Sequence, residues 1–394
     1  MDKKAVIIGG SNGIGLALAN KLIDKGYYAV ILDKCEPESV SLTSGKFEYQ
    51  YCNLLDLDHE MISSLASDPS VGVLMITAGF GRVADFEYFL PVEIRNMMTV
   101  NATSTIEILR LFYERILSKD EFYCGVMGSI AGLISSPCCA LYAASKAAVC
   151  RFIESVDIEL EVFGTSNRIL CVAPTSFSGS KFYGGENDLS SLSPLADEIM
   201  SHMFSHSSLF IPNYYKVKET IKWYQDYPHE YGLHSYDYKC SSGRINHTSP
   251  VKVGYLSGTF DLFHVGHLNL LRRAKAECDY LIVGVHESGA WKGKETFIPF
   301  EERMAVVGAC KYVDKVVKSC TEDSDAWALW HFDKLFVGSD YKGSERFQRY
   351  EEFFKDKGVE IVYFPYTEGT SSTEIRKTVL LKTKDIDLAD KTED

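Results

Sequence analysis

The chain has 394 residues, 46% of them hydrophobic, and a formal net charge of −13 from 41 basic and 54 acidic side chains. That length exceeds one ordinary core and fits two domains, and the apolar content excludes a disordered chain. The acidic excess repels polyanions, so it excludes general nucleic-acid binding and leaves only small local phosphate sites.

Eleven cysteines are scattered along the chain; Cys138 and Cys139 are adjacent, but no CxxC pair or zinc spacing with histidine occurs. They read as reduced thiols, and no metal site is expected. A short apolar strand begins at Ala5, so no secretion signal is expected. No apolar run approaches the ~18 residues of a membrane span. The expectation is a protein of the cytoplasm without membrane insertion.

In chain order, Ala5–Ile8, Ala29–Leu32, Val73–Thr77, Gly125–Met127 and Ile169–Val172 are short apolar runs with amphipathic stretches between them. This alternation predicts a parallel sheet covered on both faces. From about His234 to Pro250 the pattern gives way to Ser, Gly and polar residues, read as a linker. A second α/β alternation starts at Val251, with strands at Tyr280–Val285, Lys334–Val337 and Glu360–Phe364. The predicted division is 1–232, a linker at 233–250, a second domain at 251–380 and an acidic tail at 381–394. The fold class is α/β, with two doubly wound parallel-sheet domains of Rossmann type.

The first chemical signal follows the first strand: Gly9, Gly10, Ser11, Asn12, Gly13, Ile14 and Gly15, then a helical pattern with Ile14, Leu18 and Leu22 on one face. A glycine-rich turn entering a helix lets backbone N–H groups meet a pyrophosphate, and the helix N-terminus favours its charge. The bland alternative is a tight turn that binds nothing. Asp33 ends the next strand, where a carboxylate accepts from ribose hydroxyls and repels a 2′-phosphate. NAD(H) is therefore expected over NADP(H), although Lys34 beside it softens the discrimination. The alternative for Asp33 is a polar strand end.

Tyr142 and Lys146 lie one helical turn apart and share a face. Ser129 closes the strand thirteen residues before Tyr142. With the glycine pattern, Thr77-Ala78-Gly79, Asn101 and Pro174, these residues resemble the short-chain dehydrogenase/reductase family over about residues 1–230. The resemblance implies that Tyr142 protonates a substrate carbonyl as hydride arrives. Lys146 lowers the phenol pKa and holds the nicotinamide ribose, and Ser129 binds the carbonyl oxygen. Asn101 shapes the helix that carries a water path to Lys146. It also implies cofactor contacts from Gly9, Ser11, Asn12, Gly13, Ile14, Gly15, Asp33, Asn53, Leu54, Ala78, Gly79, Pro174, Thr175 and Phe177. Three residues depart from the family pattern: Ile8 before the first glycine, Asn53 where an aspartate commonly meets adenine, and Thr175 where glycine is usual.

The second half opens with Gly258-Thr259-Phe260-Asp261-Leu262-Phe263-His264-Val265-Gly266-His267. Two histidines three apart at a helix start can direct ring N–H groups at phosphate oxygens. A zinc reading lacks a third ligand. This stretch resembles the cytidylyltransferases that act on glycerol 3-phosphate, phosphocholine or phosphoethanolamine, over about Lys252–Lys377, with a HxGH nucleotidyltransferase fold. Further matches are Lys294, Glu302-Arg303, Lys311-Tyr312-Val313-Asp314 and Thr367 to Thr373. The resemblance implies attack of a substrate phosphate on the α-phosphate of CTP. His264 and His267 steady the phosphorus and leaving group, and Lys294 and Arg303 hold phosphates. Gly258, Thr259, Phe260 and Asp261 line the nucleotide, and Thr370, Ser371, Ser372 and Thr373 grip the triphosphate, with Mg²⁺ carried on the CTP. For Lys294 and Arg303 the alternative is a solvated surface side chain. Tyr366 and Lys311 stand where arginine is frequent.

The two activities together suggest reduction of a ketose phosphate to a polyol phosphate, then transfer of CMP to give a CDP-polyol for capsule or teichoic-acid-like polymers. Ribulose 5-phosphate to CDP-ribitol is the first choice. The rivals are a glycerol-phosphate, phosphocholine or phosphoethanolamine cytidylyltransferase with an inert front domain, and a non-enzymatic dinucleotide sensor. Both families commonly self-associate, which implies a homodimer or homotetramer.

Overall fold

The computed structural model describes residues 3–37, 42, 46–177, 179, 187–288, 296–365 and 375. The chain divides into two compact units, Met1–Thr248 and Ser249–Asp394.

The first unit runs β1 (Lys4–Ile8), α1 (Gly13–Asp24), β2 (Tyr28–Asp33), β3 (Phe47–Tyr51), α2 (His59–Ser67), β4 (Val71–Ile76), α3 (Pro91–Met98), α4 (Ser104–Leu111), α5 (Tyr113–Leu117), β5 (Tyr123–Met127), α6 (Ala140–Val162), β6 (Ile169–Val172), α7 (Leu189–Phe204), β7 (Leu209–Phe210), α8 (Tyr214–Asp226) and α9 (Pro228–Ser241). Its seven strands are all parallel, in the order β3-β2-β1-β4-β5-β6-β7. The central strands are apolar on both sides because helices cover both faces. One core layer joins Val6, Ile8, Val30, Leu74 and Val126 to Ile108, Phe112, Val149 and Ile153. The other joins Ile7, Ile31, Val73 and Met75 to Leu18, Leu22, Ile199 and Met203. The strand order reverses between β1 and β4, which opens a crevice at their carboxyl ends.

The second unit runs β8 (Val253–Gly258), α10 (Val265–Ala276), β9 (Tyr280–Val285), α11 (Phe300–Gly308), β10 (Lys315–Lys318), α12 (Asp323–Trp330), β11 (Lys334–Gly338), α13 (Glu345–Phe354) and β12 (Glu360–Phe364). Its parallel sheet has the order β10-β9-β8-β11-β12, so the reversal lies between β8 and β11. Among the described residues no helix is long and apolar enough to cross a membrane.

The stretch expected as a linker from residue 233 is corrected by the structure. Helix α9 continues to Ser241, and the residues after it pack on the first unit as far as Thr248. Tyr, His and Lys side chains give α9 no apolar stripe.

Candidate active sites

In the first unit the turn after β1 is shaped by close approach. Gly9 has φ +84°, and a Cβ there would lie 2.5 Å from the Ala78 nitrogen. A Cβ on Gly15 would stand 2.2 Å from the Gly9 oxygen and 2.4 Å from Thr77 Oγ1. Only glycine lets the turn lie against the end of β4, where the Thr77 hydroxyl donates to Ile8 O and Gly9 O. Helix α1 then starts at Gly13 with its N–H groups facing the crevice, and Asn12 precedes it without capping through its side chain. Asn187, to which no sequence signal pointed, accepts from Gly13 N–H at 3.1 Å and donates to Asn12 Oδ1 at 3.0 Å. Among the described residues the Ser11 hydroxyl is buried without a partner. A helix N-terminus, a cradle without side chains and an unsatisfied buried hydroxyl fit a dinucleotide's pyrophosphate.

Asp33 stands at the tip of β2. Its carboxylate accepts from Ser11 N–H at 3.1 Å and Lys34 N–H at 2.7 Å, which ties the strand end to the glycine turn. Asn53 accepts from Leu55 N–H, and the Leu54 carbonyl receives the Ser104 hydroxyl of α4. Ile130 N–H donates to Pro174 O, so the loop after β5 is joined to the loop after β6. Thr175 is exposed there, and Phe177 packs partly on the core layer that contains Ile14.

The chemical groups converge at the ends of β4 and β5. Asn101 sits in a π-helical turn, Thr99–Thr103, between α3 and α4. Its carboxamide exchanges two hydrogen bonds with the Phe80 backbone and donates to Ser145 Oγ at 3.0 Å. Such turns often mark functional positions. Lys146 is 4% exposed and donates to Met127 O at 2.7 Å. Burial pulls its ammonium down to about 8. A Cβ on Gly79 would lie 3.1 Å from Asn101 Oδ1 and 3.3 Å from Lys146 Nζ, so glycine permits that gathering. Lys146 Nζ is 5.9 Å from the centre of the Tyr142 ring. Ser129 is buried, and its hydroxyl accepts from Ala131 N–H at 3.2 Å. A phenol beside a buried ammonium, with a hydroxyl on the adjoining loop, is suited to moving a proton to or from an oxygen.

In the second unit the turn after β8 carries two non-glycine residues at positive φ, Phe260 (52°) and Leu262 (49°). Such backbone is uncommon and costs energy, and it concentrates at functional loops. The turn delivers His264 as the residue capping α10. Its Nδ1 accepts from Gly266 N–H at 3.0 Å. His264 N–H in turn points at His267 Nδ1, 3.4 Å away. With both Nδ1 atoms accepting, the neutral rings carry their proton on Nε2. The ring centres are 4.1 Å apart. Burial lowers the pKa of His264. His267 is held at about 4, first by burial and then by repulsion from His264, against the pull of Asp261. The pair is thus a set of neutral N–H donors at the positive end of α10.

Comparison with known proteins follows this division. Residues 3–184 match the short chain dehydrogenase family, and residues 255–378 match the cytidylyltransferase-like family. Over 126 residues the chain is 36% identical to the glycerol-3-phosphate cytidylyltransferase of Bacillus subtilis (strain 168), covering 31% of this chain and 92% of that protein. The chain belongs to the cytidylyltransferase family. The Staphylococcus aureus glycerol-3-phosphate cytidylyltransferase is likewise 36% identical over 124 residues, 30% of this chain and 89% of that protein. Ahead of the transferase stands a short-chain dehydrogenase domain. It is 31% identical over 160 residues to Dehydrogenase RED2 of Cochliobolus heterostrophus, covering 39% of this chain and 60% of that protein. The chain is a bifunctional enzyme, an oxidoreductase joined to a cytidylyltransferase.

Two of the residues expected in the transferase site are tied to its loops. Arg303 is 1% exposed, and its guanidinium donates to the carbonyls of Ile298, Thr259, His286 and Glu287. Four of its five N–H groups are used on backbone, so Arg303 is a clamp on the site loops. Asp261 is buried and accepts from Phe297 N–H and Ile298 N–H at 3.0–3.1 Å, fixing the loop that leads into α11. Gly258 and Thr259 lie at the β8 turn beside these residues. Lys294 and the expected triphosphate grip, Thr370, Ser371, Ser372 and Thr373, lie outside the described residues.

Proposed function

We propose that the reductase domain converts a phosphorylated ketose to a polyol phosphate with NADH, and that the transferase domain joins this phosphate to CMP from CTP. The product is a CDP-polyol, with pyrophosphate released; ribulose 5-phosphate to CDP-ribitol is the leading pair. The supporting observation is that Tyr142, Lys146, Ser129 and Asn101 are gathered in one unit, and the neutral donors His264 and His267 in the other, of a single chain. A fused reductase is chemically useful when it makes the alcohol phosphate that the transferase consumes.

When bound, NADH would supply the hydride for the carbonyl carbon. Tyr142 gives its phenolic proton to the carbonyl oxygen, Ser129 orients that oxygen, and the Lys146 charge lowers the cost of the phenolate left behind. Asp33, at the tip of β2, would meet the ribose of a bound dinucleotide, where its charge would favour NADH over NADPH. In the transferase, the product's phosphate oxygen attacks the α-phosphorus of CTP and pyrophosphate departs, with Mg²⁺ carried on the triphosphate. The Nε2–H groups of His264 and His267 donate to the phosphate oxygens as charge builds. We place the enzyme in the cytoplasm as a homodimer or homotetramer supplying capsule or teichoic-acid-like polymers.

The likeness to glycerol-3-phosphate cytidylyltransferases favours a second reading, in which the polyol is glycerol. Incubation with NADH, CTP and a panel of ketose phosphates, read by product mass, decides between them. A Tyr142→Phe chain should lose ketose reduction while still cytidylylating an added polyol phosphate. Cytidylylation of ready-made alcohol phosphates, with no ketose phosphate accepted, would sink the coupled reading.

A further inference from the structure

Residues 239–248, at the end of the first unit, are fastened to both loops that flank Tyr142. On one side Lys239 Nζ donates to Ser136 Oγ at 2.7 Å and Pro137 O at 2.6 Å, in the loop that leads into α6. On the other side Asn246 N–H donates to Val83 O at 2.8 Å, and Arg82 donates to Asn246 O at 2.9 Å. His247 contacts Asp85 at 3.1 Å and stacks on Tyr88 with ring centres 3.9 Å apart. Between these anchors Ile245 packs on Val83, Cys138 and Cys139, the same cluster that Tyr142 packs against. The segment is a strap lying against the catalytic helix start.

Among the described residues the strap carries two cations that form no recorded ion pair. Lys239 is half-buried, and its two recorded acceptors, a hydroxyl and a carbonyl, are neutral. Burial pulls its pKa down, and Arg244 adds repulsion. Arg244 is exposed, with its guanidinium 5.6 Å from the Tyr238 ring centre. Among the described residues neither cation has a carboxylate within ion-pair distance. Asp85, the carboxylate of this cluster, is engaged by His247 and Cys138, so in a chain of net charge −13 the two neighbouring cations are suited to attract an anion. The ammonium keeps a third N–H beyond the two it has spent.

We propose that Lys239, assisted by Arg244, receives the phosphate of the ketone substrate and so sets the reductase's preference for phosphorylated substrates. This rests on the reading that the reduced substrate is a ketose phosphate. The test uses the full chain and its Lys239→Met, Lys239→Arg and Lys239→Met/Arg244→Gln variants, in two measurements. The first is the ratio of kcat/KM on ribulose 5-phosphate to that on ribulose. A charge-assisted hydrogen bond predicts a fall of about tenfold to a hundredfold in Lys239→Met, with Lys239→Arg recovering most of it. The second is the response of bound-NADH fluorescence to inorganic phosphate, which should saturate in the unaltered chain and weaken at least tenfold in the double variant. A ratio that does not move, or phosphate binding that is absent from the unaltered chain or unchanged in the double variant, overturns the proposal. Phosphate binding lost in the double variant, in a chain that reduces no ketose phosphate, would keep the anion site and reject the proposed substrate.

Discussion

Replacing Arg303 by methionine keeps most of the side chain's bulk and removes every donor of the clamp. Each charge-assisted bond is worth about 1.5–3 kcal/mol, and a buried carbonyl stripped of its donor costs about 1–3 kcal/mol. The four carbonyls of Ile298, Thr259, His286 and Glu287 share one guanidinium, so the losses do not add. Loss of a buried charged hub of this kind falls near 3–5 kcal/mol. With a urea m-value of about 1–3 kcal/mol per M, the unfolding midpoint of the transferase should drop by roughly 1–5 M. Trp327 and Trp330 on α12 report that transition by fluorescence. Arg303→Lys should lose nearly as much, because a point charge cannot reach four carbonyls in a plane. An Arg303→Met chain with an unmoved midpoint and a raised KM for CTP would refute the clamp and restore a phosphate contact.

Three further outcomes follow from the sites. Gly15→Ala sets a Cβ 2.2 Å from Gly9 O, so NADH affinity measured by fluorescence should fall at least about tenfold, with about 1–3 kcal/mol of overpacking cost to stability. Ketone reduction should decline as pH rises through about 8, where Lys146 loses its proton; stability should instead rise from about 8 to 10.5, because the unfolded chain holds the extra proton, so a melting curve separates the two effects. His267 is held neutral down to about 4, against 6.5 unfolded, so its contribution to transferase stability is complete above 6.5 and lost as pH falls through about 4; His267→Gln should flatten that acid limb.

The parts of both sites that depend on local spacing were legible in the sequence. The glycines at 9, 13 and 15 identify a strand-turn-helix because a Cβ would clash at 9 and 15 and positions 9 and 13 have positive φ, and a spacing of four positions places Tyr142 and Lys146 on one face of α6. His264 and His267 announce their helix start in the same way. The clamp made by Arg303 was not legible because its partners come from separate stretches at 259, 286–287 and 298, and arginine in a first helical turn looks like a surface residue. Asn187 reaches α1 across 174 positions, which no local pattern reveals. Strands β3 (FEYQY) and β10 (KVVK) escaped as edge strands, half-buried and bearing polar side chains. Helix α9 was taken for linker, although Pro228 at its first turn and Lys239 in its last were available signals.

The most direct test of coupled action is to supply ribulose 5-phosphate, CTP and NADH carrying deuterium at the transferred position, and to weigh the CDP-alcohol formed. One product is expected that holds both the CMP of the nucleotide and one deuterium from the dinucleotide. A CDP-alcohol without the label, or a labelled polyol phosphate that is never cytidylylated, would contradict it.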